Sequence, residues 1–222
     1  MKVLIIAEKP SLMREIQNAY NIMSTKPFDA EFTCFHGHLM QLQEPADYKK
    51  EWGKPWHESV LPMIPEKFVF VPKTECRSDV GNISKRLHDN HYDFVVNACD
   101  ADREGEAIFW SFYKNSRCGY DVKRLWSSDI TAPSLQKAIN SLRDYKTDQY
   151  LCNLRNASFC RMFFDWLTGM NFSRAVSLRL NKLTPIGRVQ TPTLNLIVQR
   201  DLEIENFHPV NYYEIQADFK AS

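Results

Sequence analysis

Two short apolar runs, each followed closely by an acidic residue, constrain the fold of this chain most. Lys2–Ala7 (KVLIIA) is followed by Glu8, and Tyr92–Ala98 is followed two residues later by Asp100. Short runs rich in Val and Ile are typical of strands buried on both faces of a parallel sheet. If the two strands are parallel neighbours, both acids lie at the carboxyl edge of the sheet, where α/β folds place their sites.

Signals for helices alternate with signals for strands up to about residue 147. The predicted helices are 10–20, 80–88, 103–114 and one that begins after Thr131, and the further predicted strands are 32–35 and 125–127. This alternation predicts an α/β domain with a mostly parallel sheet. Residues 44–73 are rich in Pro and Trp, which indicates an irregular surface excursion.

After residue 147 the pattern becomes mainly helical, and a second unit over 148–222 is predicted. The spacing predicts one helix over 150–168 that ends at Gly169, and a second helix capped by Ser173. A third helix starts at Thr191-Pro192, and residues 212–219 alternate like a strand. The predicted buried face of the third helix consists of Leu194, Ile197, Val198 and Leu202.

The charge of the chain is unevenly distributed. Residues 1–147 hold 20 basic and 20 acidic residues, whereas residues 155–200 hold seven Arg and Lys residues against Asp165 alone. A local excess of positive charge is expected for a polyanion partner, although a solvated helical surface would look the same.

The composition excludes several other classes of protein. Hydrophobic residues make up 44% and charged residues 25%, as in folded domains, and no apolar run approaches the roughly 20 residues of a membrane span. The six Cys form no CxxC pair, which argues against a zinc ribbon and suggests reduced thiols in a cytoplasmic protein.

The segment from Asp100 to Glu106 (DADREGE) predicts a metal site. Asp100, Asp102 and Glu104 offer only oxygen ligands, so Mg²⁺ is the natural occupant. The alternative is an acidic first turn that favours the helix dipole, which would explain Glu104 and Glu106 but not the two aspartates.

Glu8 and Lys9 extend this predicted site. A carboxyl group close to other carboxylates has a raised pKa, so Glu8 is a candidate general acid. Lys9 could stabilise a developing oxyanion.

Together these residues resemble the Toprim domain, which has a Glu after its first strand and Asp-x-Asp-x-Glu-Gly after a later one. Further segments resemble type IA topoisomerases of the topoisomerase III kind, and the resemblance covers essentially the whole chain. The segments are Ile6–Ser11, His36–Leu39, Leu61–Lys67, Ala98–Glu106, Arg161–Arg174 and Pro185–Leu194. The Gly-Arg-Val-Gln-Thr-Pro block at 187–192 is the most specific of them.

The resemblance implies a Rossmann-like Toprim domain over 1–147, followed by the first part of a helical single-strand DNA-binding domain. It implies that Asp100, Asp102 and Glu8 bind Mg²⁺ with support from Glu104, and that Glu8 and Lys9 assist cleavage of a DNA phosphodiester. In that family a Tyr becomes linked to the 5′ phosphate, another DNA segment passes through the gap, and the break is resealed without ATP.

The resemblance also implies a groove for single-stranded DNA. Arg188, Gln190 and Thr191 precede or open a helix whose free N–H groups suit a phosphate. The residues implied as DNA contacts are Trp56, Arg161, Trp166, Arg174, Pro185, Ile186, Gly187, Arg188, Val189, Gln190 and Thr191. Three of them have structural alternatives, which are a core position for Trp166, a salt bridge with Asp165 for Arg161 and a plain first helical turn for Arg174. We expect His36 and His38 to alternate along a strand rather than to bind metal.

None of the nine Tyr is followed within three residues by Arg, as the nucleophile of the family would be. We therefore expect an N-terminal fragment whose nucleophile, and whose remaining domains, lie beyond residue 222. A helicase or a single-strand binding protein is a possible accessory partner, and no membrane partner is expected. The expected location is the cytoplasm, or the nucleoid if the protein is bacterial. Two alternatives stay open: a Toprim-type metal-dependent nuclease that uses activated water, and a non-catalytic single-strand binder.

Overall fold

The computed structural model describes residues 1–220 and contains a five-stranded sheet in the order β2-β1-β5-β6-β7. The first four strands in that order are parallel, and β7 pairs antiparallel with β6. Strands β3 and β4 form a separate antiparallel pair. The strands are β1 Lys2–Ala7, β2 Asp29–Cys34, β3 Met40–Leu42, β4 Phe70–Pro72, β5 Phe94–Ala98, β6 Val122–Arg124 and β7 Arg143–Asp144. The mostly parallel α/β sheet predicted from the sequence is confirmed.

Seven helices accompany the strands in the described residues. They are α1 Pro10–Asn21, α2 Pro45–Tyr48, α3 Arg77–Asp89, α4 Arg103–Ser116, α5 Ala132–Asn140, α6 Gln149–Leu180 and α7 Gln190–Glu205. Local signals explain several of their starts: Pro lies in the first turn of α1 and α5, and Asp102 and Asp148 cap α4 and α6 with their carboxylates. Of these helices, none is long and apolar enough to cross a membrane.

The sheet separates two hydrophobic cores because alternate residues of a strand face opposite sides. Leu4 and Ile6 of β1 lie in the first core, with buried residues of α3, α4 and the beginning of α6. Val3 and Ile5 lie in the second core, with α1 and α5. The first turns of α6 therefore belong to the same core as the strands, although α6 begins where the second unit was predicted.

Helix α6 is one continuous helix of 32 residues, so the predicted break at Gly169 is wrong. A glycine inside a helix costs only about 1 kcal/mol relative to Ala, which surrounding packing can offset. Ser173 does not cap a second helix either. Its hydroxyl accepts from Ile186 N at 2.8 Å and donates to Ile186 O at 3.1 Å, which fastens the following loop to α6.

The excursion over 44–73 is irregular as predicted, apart from short helical turns and β4. It folds back on α6 through a small third core formed by Trp52, Met63 and Trp166. Asn171 fixes the contact, because its side chain accepts from Met63 N and donates to Met63 O at 3.0 Å.

Three other local predictions are wrong. The strand expected at 125–127 lies at 122–124, and residues 212–219 form no strand. The expected buried face of α7 is exposed, since Leu194 is 60% accessible and Val198 is 44% accessible.

Candidate active site and nucleic-acid groove

Glu8 and Asp100 meet at the carboxyl edge of the sheet, as the sequence predicts. Strands β1 and β5 are parallel neighbours with Ala7 opposite Ala98, so both chains leave the sheet side by side. Asp100 N donates to Glu8 Oε2 at 3.2 Å. Lys9 Nζ lies 3.2 Å from Asp100 Oδ2. The edge therefore brings the Glu8 carboxylate to the Asp100 backbone and the Lys9 ammonium group to the Asp100 carboxylate.

The surroundings of Glu8 raise the pKa of its carboxyl group. Partial burial is the largest cause, and the negative charges of Asp100 and Asp102 act in the same direction. The Asp100 amide and the Lys9 ammonium oppose the rise. The pKa of Lys9 is also raised, first because of its hydrogen bond to Asp100, so Lys9 stays charged. The like-charge argument from the sequence has the right direction, but burial is the main cause.

Asp102 and Glu104 already have protein partners. Asp102 Oδ1 accepts from Gly105 N at 2.8 Å and so caps α4. Glu104 Oε1 lies 2.8 Å from His38 Nε2, and Glu104 Oε2 lies 3.7 Å from Arg161. Both acids are exposed at the sheet edge, beside the Glu8 and Asp100 pair.

The donor set at this edge fits a hard cation, because four carboxylates gather there and the neighbouring Cys99 is buried. Among residues 1–220, no three His, Cys, Asp or Glu side chains lie close enough together, as they stand, to hold a metal ion. Protein cations instead pair with the acids, Lys9 with Asp100 and Arg161 with Glu104. Glu8, Asp100, Asp102 and Glu104 are the residues that would hold a divalent ion.

A fully buried ion pair lies beneath the acids. Arg124 and Glu106 are both inaccessible to solvent, and Arg124 Nε donates to Glu106 Oε1 at 2.9 Å. Glu106 also accepts from Trp110 Nε1 at 3.0 Å and from the Tyr145 hydroxyl at 2.8 Å. Burial raises the pKa of Glu106, while Arg124 and the other donors lower it. The acidic helical turn expected from the sequence is therefore solvent-facing only at Glu104, because Glu106 points into the core.

A chain of ionic contacts leads from the acids to the 187–192 block. From Glu104 it passes to Arg161, then to Asp165 at 3.8 Å, and then to Arg188, whose Nε lies 2.5 Å from Asp165 Oδ1. The salt bridge considered for Arg161 and Asp165 is present but long. The chain links Arg188 to the acidic edge through two intervening side chains, although Arg188 and the acids are distant in sequence.

The loop over 183–189 lies along the second half of α6. Ser177 and Ser173 bind its backbone at Thr184 and Ile186. Gly169 faces the same loop, and a Cβ there would be in ordinary contact with Ile186 O at 3.9 Å. Thr191 does not cap α7; its hydroxyl accepts from Gly187 N at 3.1 Å and closes the end of the loop.

A cavity of about 490 Å³ lies between this loop, α6 and the excursion. Among the residues implied as DNA contacts, those that line it are Trp56, Arg174, Pro185, Ile186 and Gln190. A second cavity of about 730 Å³ continues from it past Lys54, Trp56 and Lys182. Arg188 and Val189 are exposed beside them. The fold therefore brings residues separated by more than 100 positions to one groove.

Two implied DNA contacts are buried instead of lining an open surface. Trp166 is 7% exposed, packs in the third core and donates from Nε1 to Gln43 O at 3.1 Å, so neither ring face is free for a base. Arg174 is 8% exposed and lies inside α6 rather than in a first helical turn. Its guanidinium donates to Trp52 O at 2.5 Å and stacks on Trp56 at 5.1 Å. Burial lowers the pKa of Arg174.

Comparisons with known proteins show the family to which the chain belongs. A model of the Toprim domain matches residues 3–130, and a model described as DNA topoisomerase matches residues 150–222. The chain belongs to the Toprim-containing DNA topoisomerase family. It is of the type IA, topoisomerase III-like kind that the sequence motifs indicate.

Curated relatives of this topoisomerase-family chain carry the name DNA topoisomerase 3. That of Pasteurella multocida is 34% identical over 98% of this chain and 35% of its own length. That of Bacillus subtilis is 32% identical over 97% of this chain and 30% of its own length. The chain thus spans about a third of the length of the curated relatives it matches.

A solved structure of full-length topoisomerase I from Thermotoga maritima has the same fold. The TM-score is 0.61 at 23% identity, over 92% of this chain and 31% of that one.

Two residues of the topoisomerase-family site escaped the sequence analysis. His38 was expected in a strand, but residues 35–39 form a loop after β2, and His38 contacts Glu104. The position of His38 near the acids could have been predicted, because β2 is a parallel neighbour of β1 and ends at the same edge of the sheet. Arg124 gave no such signal, since an Arg at the end of a short strand usually points to solvent.

Proposed function

We propose that this chain carries the metal site and part of the single-strand groove of a type IA DNA topoisomerase. The whole protein would break one DNA strand, pass another through the gap and rejoin the break through a 5′-phosphotyrosyl intermediate without ATP. The observation that carries the proposal is the ionic chain from Glu104 through Arg161 and Asp165 to Arg188. This link supports the proposal, because it connects the proposed phosphate-binding block to the acids that would act on the phosphate.

Glu8, Asp100, Asp102 and Glu104 would hold Mg²⁺, which supplies positive charge for the phosphate oxygens when it is bound. Glu8 holds a proton more readily than an ordinary carboxyl group, because its pKa is raised, and can pass that proton to a leaving oxygen. Lys9 stays protonated beside Asp100 and can stabilise a phosphate oxyanion.

The proposed groove consists of the 185–191 loop, Arg161 and the two cavities beside Trp56. Arg188 is exposed, and among the described residues its ion pair is with Asp165. Its guanidinium can therefore donate two hydrogen bonds to one phosphate. Trp56 is half-buried, with one side held by Arg174. Arg174 and Trp166 support the groove from within through their contacts with the excursion.

The proposed partners follow from two surfaces. Single-stranded DNA fits the basic groove. The exposed apolar residues of α7, such as Leu194 and Ile197, fit further parts of the same polypeptide, which the greater length of the relatives also supports. A helicase or a single-strand binding protein stays a prediction, as does a location in the cytoplasm or the bacterial nucleoid.

The first experiment incubates this chain with end-labelled single-stranded DNA and Mg²⁺, then denatures the sample and looks for a covalent adduct. We expect bound but intact DNA and no adduct. An adduct would show that one of the nine Tyr is the nucleophile. Cleavage without an adduct would support the nuclease alternative.

A second experiment separates a topoisomerase from a non-catalytic binder. Residues 1–220 replace the matching segment of the Pasteurella multocida relative, and the chimera is assayed for relaxation of negatively supercoiled plasmid. Relaxation that Asp100→Asn abolishes supports the proposal. A chimera that binds single strands as tightly as the intact relative, yet relaxes nothing, supports the binder.

A further inference from the structure

Arg124 makes more hydrogen bonds than its pairing with Glu106 requires. Beyond Nε, its guanidinium donates to Asn97 O at 3.0 Å, Cys99 O at 2.8 Å and Asp100 O at 2.6 Å, and to Leu125 O at 2.8 Å. Strand β5 ends at Ala98, so the carbonyls of the next two residues have no strand partner. The side chain of Arg124 takes the place of that partner and continues the hydrogen bonding of the sheet into the acidic turn.

We propose that Arg124 is a positioning residue for the metal ligands, acting through the backbone of residues 97–100; this inference rests on the metal site proposed above. The guanidinium is planar and presents its N–H groups in fixed directions, so it sets the carbonyls relative to one another. The side chain of Asp100 leaves the same backbone, and Asp100 N reaches Glu8.

Glu106 holds Arg124 from the other side of the turn. It lies in the first turn of α4, after Asp102 and Glu104, and its carboxylate accepts a hydrogen bond from Arg124 Nε. One ion pair thus fixes the segment before the acids and the helix that follows them. Tyr145 and Trp110 occupy the remaining positions around the carboxylate and leave no room for it to rotate.

Stability alone does not account for a buried pair at this place. Replacing a buried ion pair by apolar residues of similar volume is often neutral or stabilising, because both charges lose their hydration on folding. A planar donor that aligns four carbonyls has no apolar substitute. The geometry thus supports a role in shaping the turn.

The test compares Arg124→Lys with Tyr145→Phe in this chain. Lysine keeps a positive charge for Glu106, but one nitrogen cannot serve both the carboxylate and the carbonyls of the turn. Phenylalanine removes a hydroxyl that contacts the same carboxylate and the Asn97 amide, but it keeps every contact between Arg124 and the carbonyls. Amide hydrogen exchange at Asp102 and Gly105 reports the turn without metal, and Mn²⁺ titration followed by electron paramagnetic resonance reports the site.

We expect Arg124→Lys to speed exchange in the acidic turn by about tenfold or more while amides of β1 stay within about twofold. Mn²⁺ affinity should fall by about tenfold, as for other residues that orient metal ligands. Tyr145→Phe should change neither quantity beyond about twofold, although it lowers the melting temperature. If Arg124→Lys does not fold, the double variant Arg124→Gln with Glu106→Gln removes both charges together and should loosen the turn equally.

Unchanged exchange in the turn of a folded Arg124 variant would refute the positioning role. An equal effect of Tyr145→Phe would also refute it, because general loosening would then explain both variants. If the parent chain binds no Mn²⁺, the proposed metal site fails, whereas the exchange comparison still decides whether Arg124 shapes the turn.

Discussion

Gly105 is the residue whose replacement should separate the metal site from the stability of the fold. It lies in the first turn of α4 and packs against the preceding acid. A Cβ at this position would lie 2.2 Å from Asp100 O and 3.0 Å from Asp100 N. Ordinary contact begins near 3.4 Å. The Asp100 carbonyl would therefore have to move by about 1.2 Å, and no side-chain rotation can relieve a contact with backbone.

The energies of Gly105→Ala work in opposite directions. Alanine favours a helix by about 1 kcal/mol relative to glycine, whereas overpacking costs about 1–3 kcal/mol. We therefore expect the free energy of unfolding to fall by at most about 2 kcal/mol. A ligand must stay within roughly 0.5 Å of its working position, so the same shift should weaken Mg²⁺ binding by more than about tenfold.

The matched control is Gly81→Ala. Gly81 lies in α3, and a Cβ there meets nothing within 4 Å. This variant should gain about 0.5–1 kcal/mol of stability and bind Mg²⁺ like the parent. Urea unfolding and calorimetric Mg²⁺ titration measure both quantities. Parental Mg²⁺ affinity in a folded Gly105→Ala variant would refute the reasoning.

Other substitutions test the ion pairs and the groove. Three hydrogen-bond donors lower the pKa of Glu31 to about 2, so its stabilising effect is complete above about pH 4.5 and is lost as the pH falls towards 2. Because Glu31 is partly exposed, Glu31→Gln should cost about 1–2 kcal/mol at pH 7 and nothing near pH 2, as measured by urea unfolding. Arg188→Gln should weaken binding of fluorescent single-stranded DNA and reduce its salt slope by about 1, whereas exposed Arg200→Gln should change the slope less. Trp56→Ala should weaken DNA binding with little loss of stability; Trp166→Ala should cost about 3–5 kcal/mol of unfolding free energy, and equal losses from both would contradict their different burial.

The sequence predicts the sheet and its acidic edge because the signals are local. Apolar runs of Val and Ile mark β1 and β5, and the acids follow each run directly. Parallel pairing then brings Glu8 and Asp100 together without any long-range information.

The errors arise where tertiary contacts decide between alternatives. Gly169 and Ser173 carry ordinary signals for ending and starting a helix, but α6 continues through both, and the Ser173 hydroxyl binds the loop over 183–189 instead. The sequence allows Trp166 either a core position or a groove position. The excursion that encloses it has no regular sequence pattern that decides between the two. The periodicity of α7 predicts a buried face, but no part of the described residues covers that face.

Helix α6 also fixes the direction in which the 183–189 loop faces relative to the acidic edge of the sheet. Its first turns are packed in the sheet's core, while Ser173 and Ser177 near its far end hold the loop that carries Arg188. Each residue of an α-helix advances about 1.5 Å and turns about 100°. One residue inserted near Gly169 would swing the loop away from the acids, whereas four would restore its direction about 6 Å farther along. The distance between the loop and the acids is thus set by the number of turns in a single helix.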